Sequence, residues 1–131
     1  MISRLIAVAD HASISDNKLN VMGIFGIIPA PDVPCQHPLM WLVAQLEFDA
    51  LDAGDKPVVI SVIGPDGEVV LEVEGVMTVP EAADGQPVIV HQLVQMPGMV
   101  FPRFGRYDFK IRVADEPEMA VPVTVVRSKP G

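Results

Sequence analysis

Residues 104–113 read Phe-Gly-Arg-Tyr-Asp-Phe-Lys-Ile-Arg-Val, in which Tyr107, Phe109, Ile111 and Val113 alternate with Arg106, Asp108, Lys110 and Arg112. Side chains on a β-strand point alternately to opposite faces, so this stretch sets one apolar row against a core and one charged row in water. Variants of the same period recur near 2–11, 18–28, 39–49, 57–63, 68–76, 88–96, 105–114 and 118–126. No segment joins a capping residue, apolar spacing of three and four, and a Pro-free run of about ten residues, as a helix requires. The pattern predicts an all-β chain of about eight strands.

The connections support that division. Gly64-Pro65-Asp66-Gly67 separates two apolar runs; Pro presets the first corner of a turn and Gly accepts positive φ, so a tight hairpin is expected there. Ser15-Asp16-Asn17-Lys18 and Asp115-Glu116-Pro117 have turn chemistry as well. The Pro-rich segments 29–38 and 77–87 read as longer crossings. Hairpins separated by crossings predict a two-sheet antiparallel β-sandwich, Ig-like or Greek-key, with a barrel as the alternative. A length of 131 residues and 50% hydrophobic content fit one domain spanning 1–131.

Two strands depart from the dry-and-wet pattern. In 39–48, Met40, Leu42, Ala44, Leu46 and Phe48 share one face, but Leu39, Trp41 and Val43 make the other face apolar too. In 18–28, Leu19, Val21, Phe25 and Ile27 oppose Met22, Ile24 and Ile28. One face of a sandwich sheet normally meets water, so a second apolar face needs a cover, either a crossing of the same chain or another protein. Leu39, Trp41, Val43, Met22, Ile24 and Ile28 are therefore interface candidates. Met99 and Phe101 join them from the segment 96–102, which is apolar yet rich in Pro and Gly, because Met-rich loops adapt to varied partners.

Net charge is −8, spread as −3 over residues 1–50, −7 over 51–100 and +2 over 101–131. An acidic chain is a poor phosphate binder, so nucleic acid is not an expected partner. The basic cluster Arg103, Arg106, Lys110 and Arg112 has Tyr107 and Phe109 on the opposite face of its strand, unlike a stacking platform for bases. Pairing with Glu68, Glu72, Glu74 or the adjacent Asp108 is its expected use. A single cysteine, Cys35, excludes an intramolecular disulfide and fits a reducing compartment, which makes the cytoplasm the expected location. No stretch approaches the roughly 20 apolar residues of a membrane-spanning helix.

Catalytic and metal readings find little support. Cys35 and His37 are correctly spaced to share a strand face, but two ligands do not make a metal site, and a loop is the simpler reading. His11 lies near Asp10, Ser13, Ser15 and Asp16, too close in one strand and turn for triad geometry, and no G-x-S-x-G elbow is present. The loop carboxylates lack calcium-loop spacing. No cofactor and no enzyme activity are expected.

The opening ADHA…KLNVMGIFGII, the strand PLMWLVAQLEF, the GPDG hairpin and the ending GRYDFKIRV…VPVTV together resemble a family of small bacterial proteins of unknown function. The resemblance spans roughly Ala9 to Val126 and implies a single β-sandwich domain, with no activity or site residues attached. The expected function is a non-catalytic interaction or assembly module, homo-oligomeric or a subunit of a larger complex. The alternative is a small-molecule or carbohydrate site at the sandwich end, built from loops 29–38, 77–87 and 97–104 with Phe101 and Phe104 as its aromatics.

Overall fold

The computed structural model describes residues 1–129, so the last two residues of the expected domain lie outside the described residues. Nine strands run β1 (Ile2–Ser15), β2 (Lys18–Ile24), β3 (Ile27–Ala30), β4 (Cys35–Phe48), β5 (Gly54–Ile63), β6 (Val69–Val79), β7 (Val88–Phe101), β8 (Gly105–Val113) and β9 (Met119–Arg127), with one 3₁₀ turn at Ala50–Asp52. They form a four-stranded sheet in the order β2-β1-β4-β7 and a five-stranded sheet in the order β3-β9-β8-β5-β6. The arrangement is an open sandwich, not a barrel.

Local chemistry fixes the hairpins. Asp16 and Asn17 have φ of 50° and 57°, the left-handed pair that a two-residue loop needs to match strand twist, and Ser15 pairs with Lys18 across it. At the second hairpin Gly67 N–H donates to Gly64 O at 3.0 Å, with Gly67 at φ 81°. The turn before β9 begins one residue earlier than expected, where Glu116 N–H donates to Val113 O at 3.0 Å.

The sequence expectation of one strand over 18–28 is corrected. The chain breaks at Phe25–Gly26 and changes sheets, so β2 edges the four-stranded sheet and β3 edges the other, pairing with β9 in parallel. The sandwich is thus antiparallel except at that edge. The expected long crossings are also shorter: Cys35–Pro38 belongs to β4, and β6 continues to Val79. The segment 97–101 is the end of β7 rather than a loop.

The core is the contact between the inner rows. Met40, Leu42, Ala44, Leu46 and Phe48 from β4 are buried against Tyr107, Phe109, Ile111 and Val113 from β8, with Val58, Ile60 and Val62 from β5. Near one end of the β4–β7 pair the inner and outer faces exchange. Met96 and Met99, three apart, are both buried, and Gly98 at φ 62° supplies the left-handed residue this reversal uses. Beyond it Phe101 packs edge-on against Tyr107, with ring centroids 5.0 Å apart.

Candidate functional site

Register defines the outer face of the four-stranded sheet. Ala9 pairs with Ile24 on one side and Trp41 on the other; Ala7 pairs with Val43, Trp41 with Gln95, and Val43 with Leu93. Directly opposed residues project to the same side, so these rows form one apolar band across β2, β1, β4 and β7. Ala7, Ala9 and Val43 form its floor and are buried although they face away from the core, while Met22 and Ile24 stand out at 66% and 61% exposure. Leu39 and Ile89 are exposed at its margins. No strand of the other sheet lies over this face, which answers the expected choice of cover: among the described residues the chain leaves it open.

A polar rail closes one end of the band. The pairing of β1 with β4 shifts between Ser3 and Leu5, leaving Arg4 unpaired in a bulge that re-aims its side chain. Arg4 donates through Nη1 to Glu47 Oε1 at 3.0 Å and through Nε to Gln45 Oε1 at 3.2 Å. Gln45 Nε2 in turn donates to His91 Nε2 at 3.0 Å, so three strands are linked by one chain of hydrogen bonds. Nearer β2, His11 meets the edge of Trp41 at 5.9 Å. The Trp41 indole N–H is buried without a hydrogen-bond partner.

The structure sorts the interface candidates. Met22, Ile24, Leu39, Trp41 and Val43 share this one face. Ile28, Met99 and Phe101 do not: they are 8%, 8% and 0% exposed and belong to the core. Ile28 left the face when the chain changed sheets at Gly26, and Met99 and Phe101 turned inward at Gly98. Sequence reasoning missed Leu93, Ile89 and the rail of Arg4, Gln45 and His91. One signal for the β7 residues exists, since residues 85–102 contain no Asp, Glu, Lys or Arg.

The remaining candidate chemistry resolves into packing and pairing. Cys35 and His37 lie on a strand, correcting the loop reading; Cys35 packs against the core and the His37 ring lies 5.4 Å from that of Phe25. Burial pushes the Cys35 thiol above its ordinary value of 9.0, partly offset by a backbone hydrogen bond. Among the described residues no three His, Cys, Asp or Glu side chains gather as a metal cluster would. Of the expected ion pairs for the basic strand, Arg106–Asp108 is present at 3.1 Å, but Glu72 and Glu74 are out of reach because β5 lies between β6 and β8. Lys110 pairs with Glu118 at 3.3 Å instead, and Arg103 with Asp66. The expected loop aromatics are not displayed: Phe101 is buried, and Phe104 lies beneath the Arg127 guanidinium at 4.6 Å.

The profile of a family described as of unknown function (DUF6941) matches residues 4–126. The chain belongs to this family. The match takes in all of both sheets except Ile2 and Ser3 of β1 and Arg127 of β9, and so covers the open face and its rail. No curated protein is detectably similar to the chain. Among the described residues no helix is long and apolar enough to cross a membrane.

Proposed function

We propose that this family member is a non-catalytic association module whose working surface is the outer face of the four-stranded sheet, and that a second copy of the chain occupies it first. The observation that carries the reading is a sheet face whose centre, Met22, Ile24, Ala9, Trp41, Val43 and Leu93, is uncharged, with Lys18 at one end and Glu47 paired to Arg4 at the other, on a protein of net charge −8. Two copies meeting through this centre bring no like charges together. The anatomy fits as well, with an aromatic anchor and aliphatic centre bordered by a polar, hydrogen-bonded rim. Four strands about 4.8 Å apart and seven residues of about 3.4 Å each give a flat footprint on the order of 450 Å². Side-chain relief brings that toward the roughly 800 Å² per partner of an ordinary specific interface.

A cytoplasmic setting in a bacterium goes with this reading, since the lone Cys35 thiol suits a reducing compartment. Sedimentation velocity with native mass spectrometry of the untagged protein tests the proposal. A dimer is expected at low micromolar concentration, with a blue shift of Trp41 emission on association. A monomer persisting at high micromolar concentration, with emission independent of concentration, sinks it.

A further inference from the structure

The rail at the end of the apolar band holds one histidine in a defined protonation state. An arginine side chain has donors and no acceptor. Arg4 Nε therefore donates to Gln45 Oε1, at 3.2 Å, which turns the other half of the Gln45 amide, its NH2 group, toward His91. Gln45 Nε2 lies 3.0 Å from His91 Nε2, and an amide nitrogen only donates, so that ring nitrogen accepts and carries no hydrogen. The His91 ring is neutral in this arrangement, with its proton on Nδ1. Protonating the ring sets N–H against N–H. Rotating the Gln45 amide relieves that clash but sets its NH2 group against Arg4 Nε–H, so no orientation of Gln45 satisfies both neighbours of a charged His91.

We propose that His91 is a proton switch: taking up a proton breaks the rail at Gln45 and, resting on the dimer reading above, weakens self-association through the neighbouring face. The groups around His91 offer the charged ring no ready partner. From β4 it faces Gln45 and, two residues along, Glu47, whose Oε1 is held by Arg4 of β1 at 3.0 Å. Its own strand adds nothing, since residues 85–102 contain no Asp, Glu, Lys or Arg. Glu74 of β6 shares a groove with Gln92 and Leu93, but it pairs with Val59 and so projects from the outer face of the other sheet. Protonation thus adds a cation to a face that already carries Arg4 and Lys18, and with a second copy opposite it does so on both sides of a closing interface, where the charge must leave water. The sign runs against the net charge. A chain of charge −8 that takes up protons repels its copy less, which by itself would tighten association on acidification.

Sedimentation equilibrium of the untagged full chain at about pH 8 and about pH 5.5, either side of the range in which histidines change charge, reads the switch. His11 also borders the apolar centre, edge-on to Trp41, so the series covers the native chain, His11→Gln, and His11→Gln combined with His91→Gln. The His91→Gln side chain keeps an acceptor for Gln45 and cannot take up a proton. Acidification is expected to raise the dimer dissociation constant of His11→Gln about tenfold and that of the double variant less than about twofold. Nitrogen-15 NMR of the dilute chain reads the rail without a dimer. It is expected to show His91 carrying its proton on Nδ1 at about pH 8, and the Arg4 Nε–H signal moving as His91 titrates, with no such movement in His91→Gln. A dissociation constant of His11→Gln that is constant or falls on acidification, an equal rise in the double variant, or a neutral His91 protonated on Nε2 each overturns the proposal. A chain monomeric at both pH values, with the Nδ1 proton and the Arg4 shift present, supports the switch in the rail and fails the dimer reading alone.

Discussion

The two sheets present opposite outer faces. On the five-stranded sheet, Arg106, Asp108, Lys110 and Arg112 of β8 lie beside β5, and Glu72 and Glu74 of β6 lie on its other flank. That face carries charged rows on β8 and β6, and water satisfies them. On the four-stranded sheet the corresponding central positions hold Met22, Ile24, Ala7, Ala9, Trp41, Val43 and Leu93, and among the described residues the one ionic contact, Arg4–Glu47, is at its end. Folding requires only the inner rows, so the difference between the outer rows reports what each face meets after folding.

If that is right, the inner rows must be equivalent where the outer rows are not. Leu42 and Phe109 are both 0% exposed, one from each sheet. Leu42→Ala is expected to cost about 2–5 kcal/mol and Phe109→Ala about 3–5 kcal/mol of unfolding free energy, by lost transfer energy plus the cavity left behind. Urea unfolding at a concentration where the chain is monomeric checks this. A much smaller loss at Leu42 would mean that the four-stranded sheet depends on a partner for its packing as well as its outer face.

The next largest effect separates the outer faces. Met22→Asp with Ile24→Asp places charge at two exposed positions of the apolar band, where an opposing copy would have to desolvate it. Each is expected to weaken self-association about tenfold, near 1.4 kcal/mol, and the pair about a hundredfold. Monomer stability should stay within about 0.5 kcal/mol, since both side chains are in water before association. Sedimentation equilibrium reads the first quantity and thermal unfolding of the dilute protein the second. Ser61→Asp on the outer face of β5 is the matched control and should change neither.

This contrast was largely legible in the sequence. Period-two alternation in β8 and its failure in β4 are visible residue by residue, and they identified Trp41, Val43 and Leu39 on one face. What escaped had a common form: changes of face, at Gly26 where the chain passes from one sheet to the other and at Gly98 where a left-handed residue turns the end of β7. One strand pattern continues smoothly through Gly26 as IFGII, yet the chain changes sheets there and carries Ile28 into the core. Gly98 reverses the end of β7 and takes Met99 and Phe101 inward. The polar rail was also illegible, because Arg4, Gln45 and His91 are brought together by register and a bulge, and register is a property of pairs of strands.

A smaller effect lies where the two sheets join. The Tyr107 hydroxyl donates to Arg103 O at 2.8 Å and accepts from Arg103 N–H at 2.9 Å, while its ring meets Phe101 from the other sheet. Tyr107→Phe leaves both backbone groups without that partner and is expected to cost about 1–2 kcal/mol in urea unfolding. Burial raises the phenol above its ordinary value of 10.0, against the opposing effect of the Arg103 backbone hydrogen bond. A raised acid means the folded state holds its proton more tightly than the unfolded chain. This contribution is therefore complete below pH 10 and is lost as pH rises through the folded value. Cys35, raised from 9.0, acts with the same sign from a lower starting pH. Stability should decline from about pH 9 upward, less steeply in Tyr107→Phe and Cys35→Ser. A profile that stays flat through pH 11 in the native protein would show that neither group is held in its neutral form.

The smallest effect is expected on the charged outer face itself. Lys110 reaches Glu118 at 3.3 Å, with side-chain exposures of 30% and 44%, so water competes for both groups. Exposed pairs of this kind are worth about 0.2–1 kcal/mol, offset by the entropy of holding two long side chains in one geometry. Lys110→Ala should therefore shift unfolding free energy by no more than about 0.5 kcal/mol, shrinking further in high salt. It should leave sedimentation unchanged, because the row it belongs to is already satisfied by solvent. A loss comparable to that of Met22→Asp in the association assay would break the comparison outright. It would place the five-stranded sheet's charged row in an interface, with the apolar band left in need of another occupant.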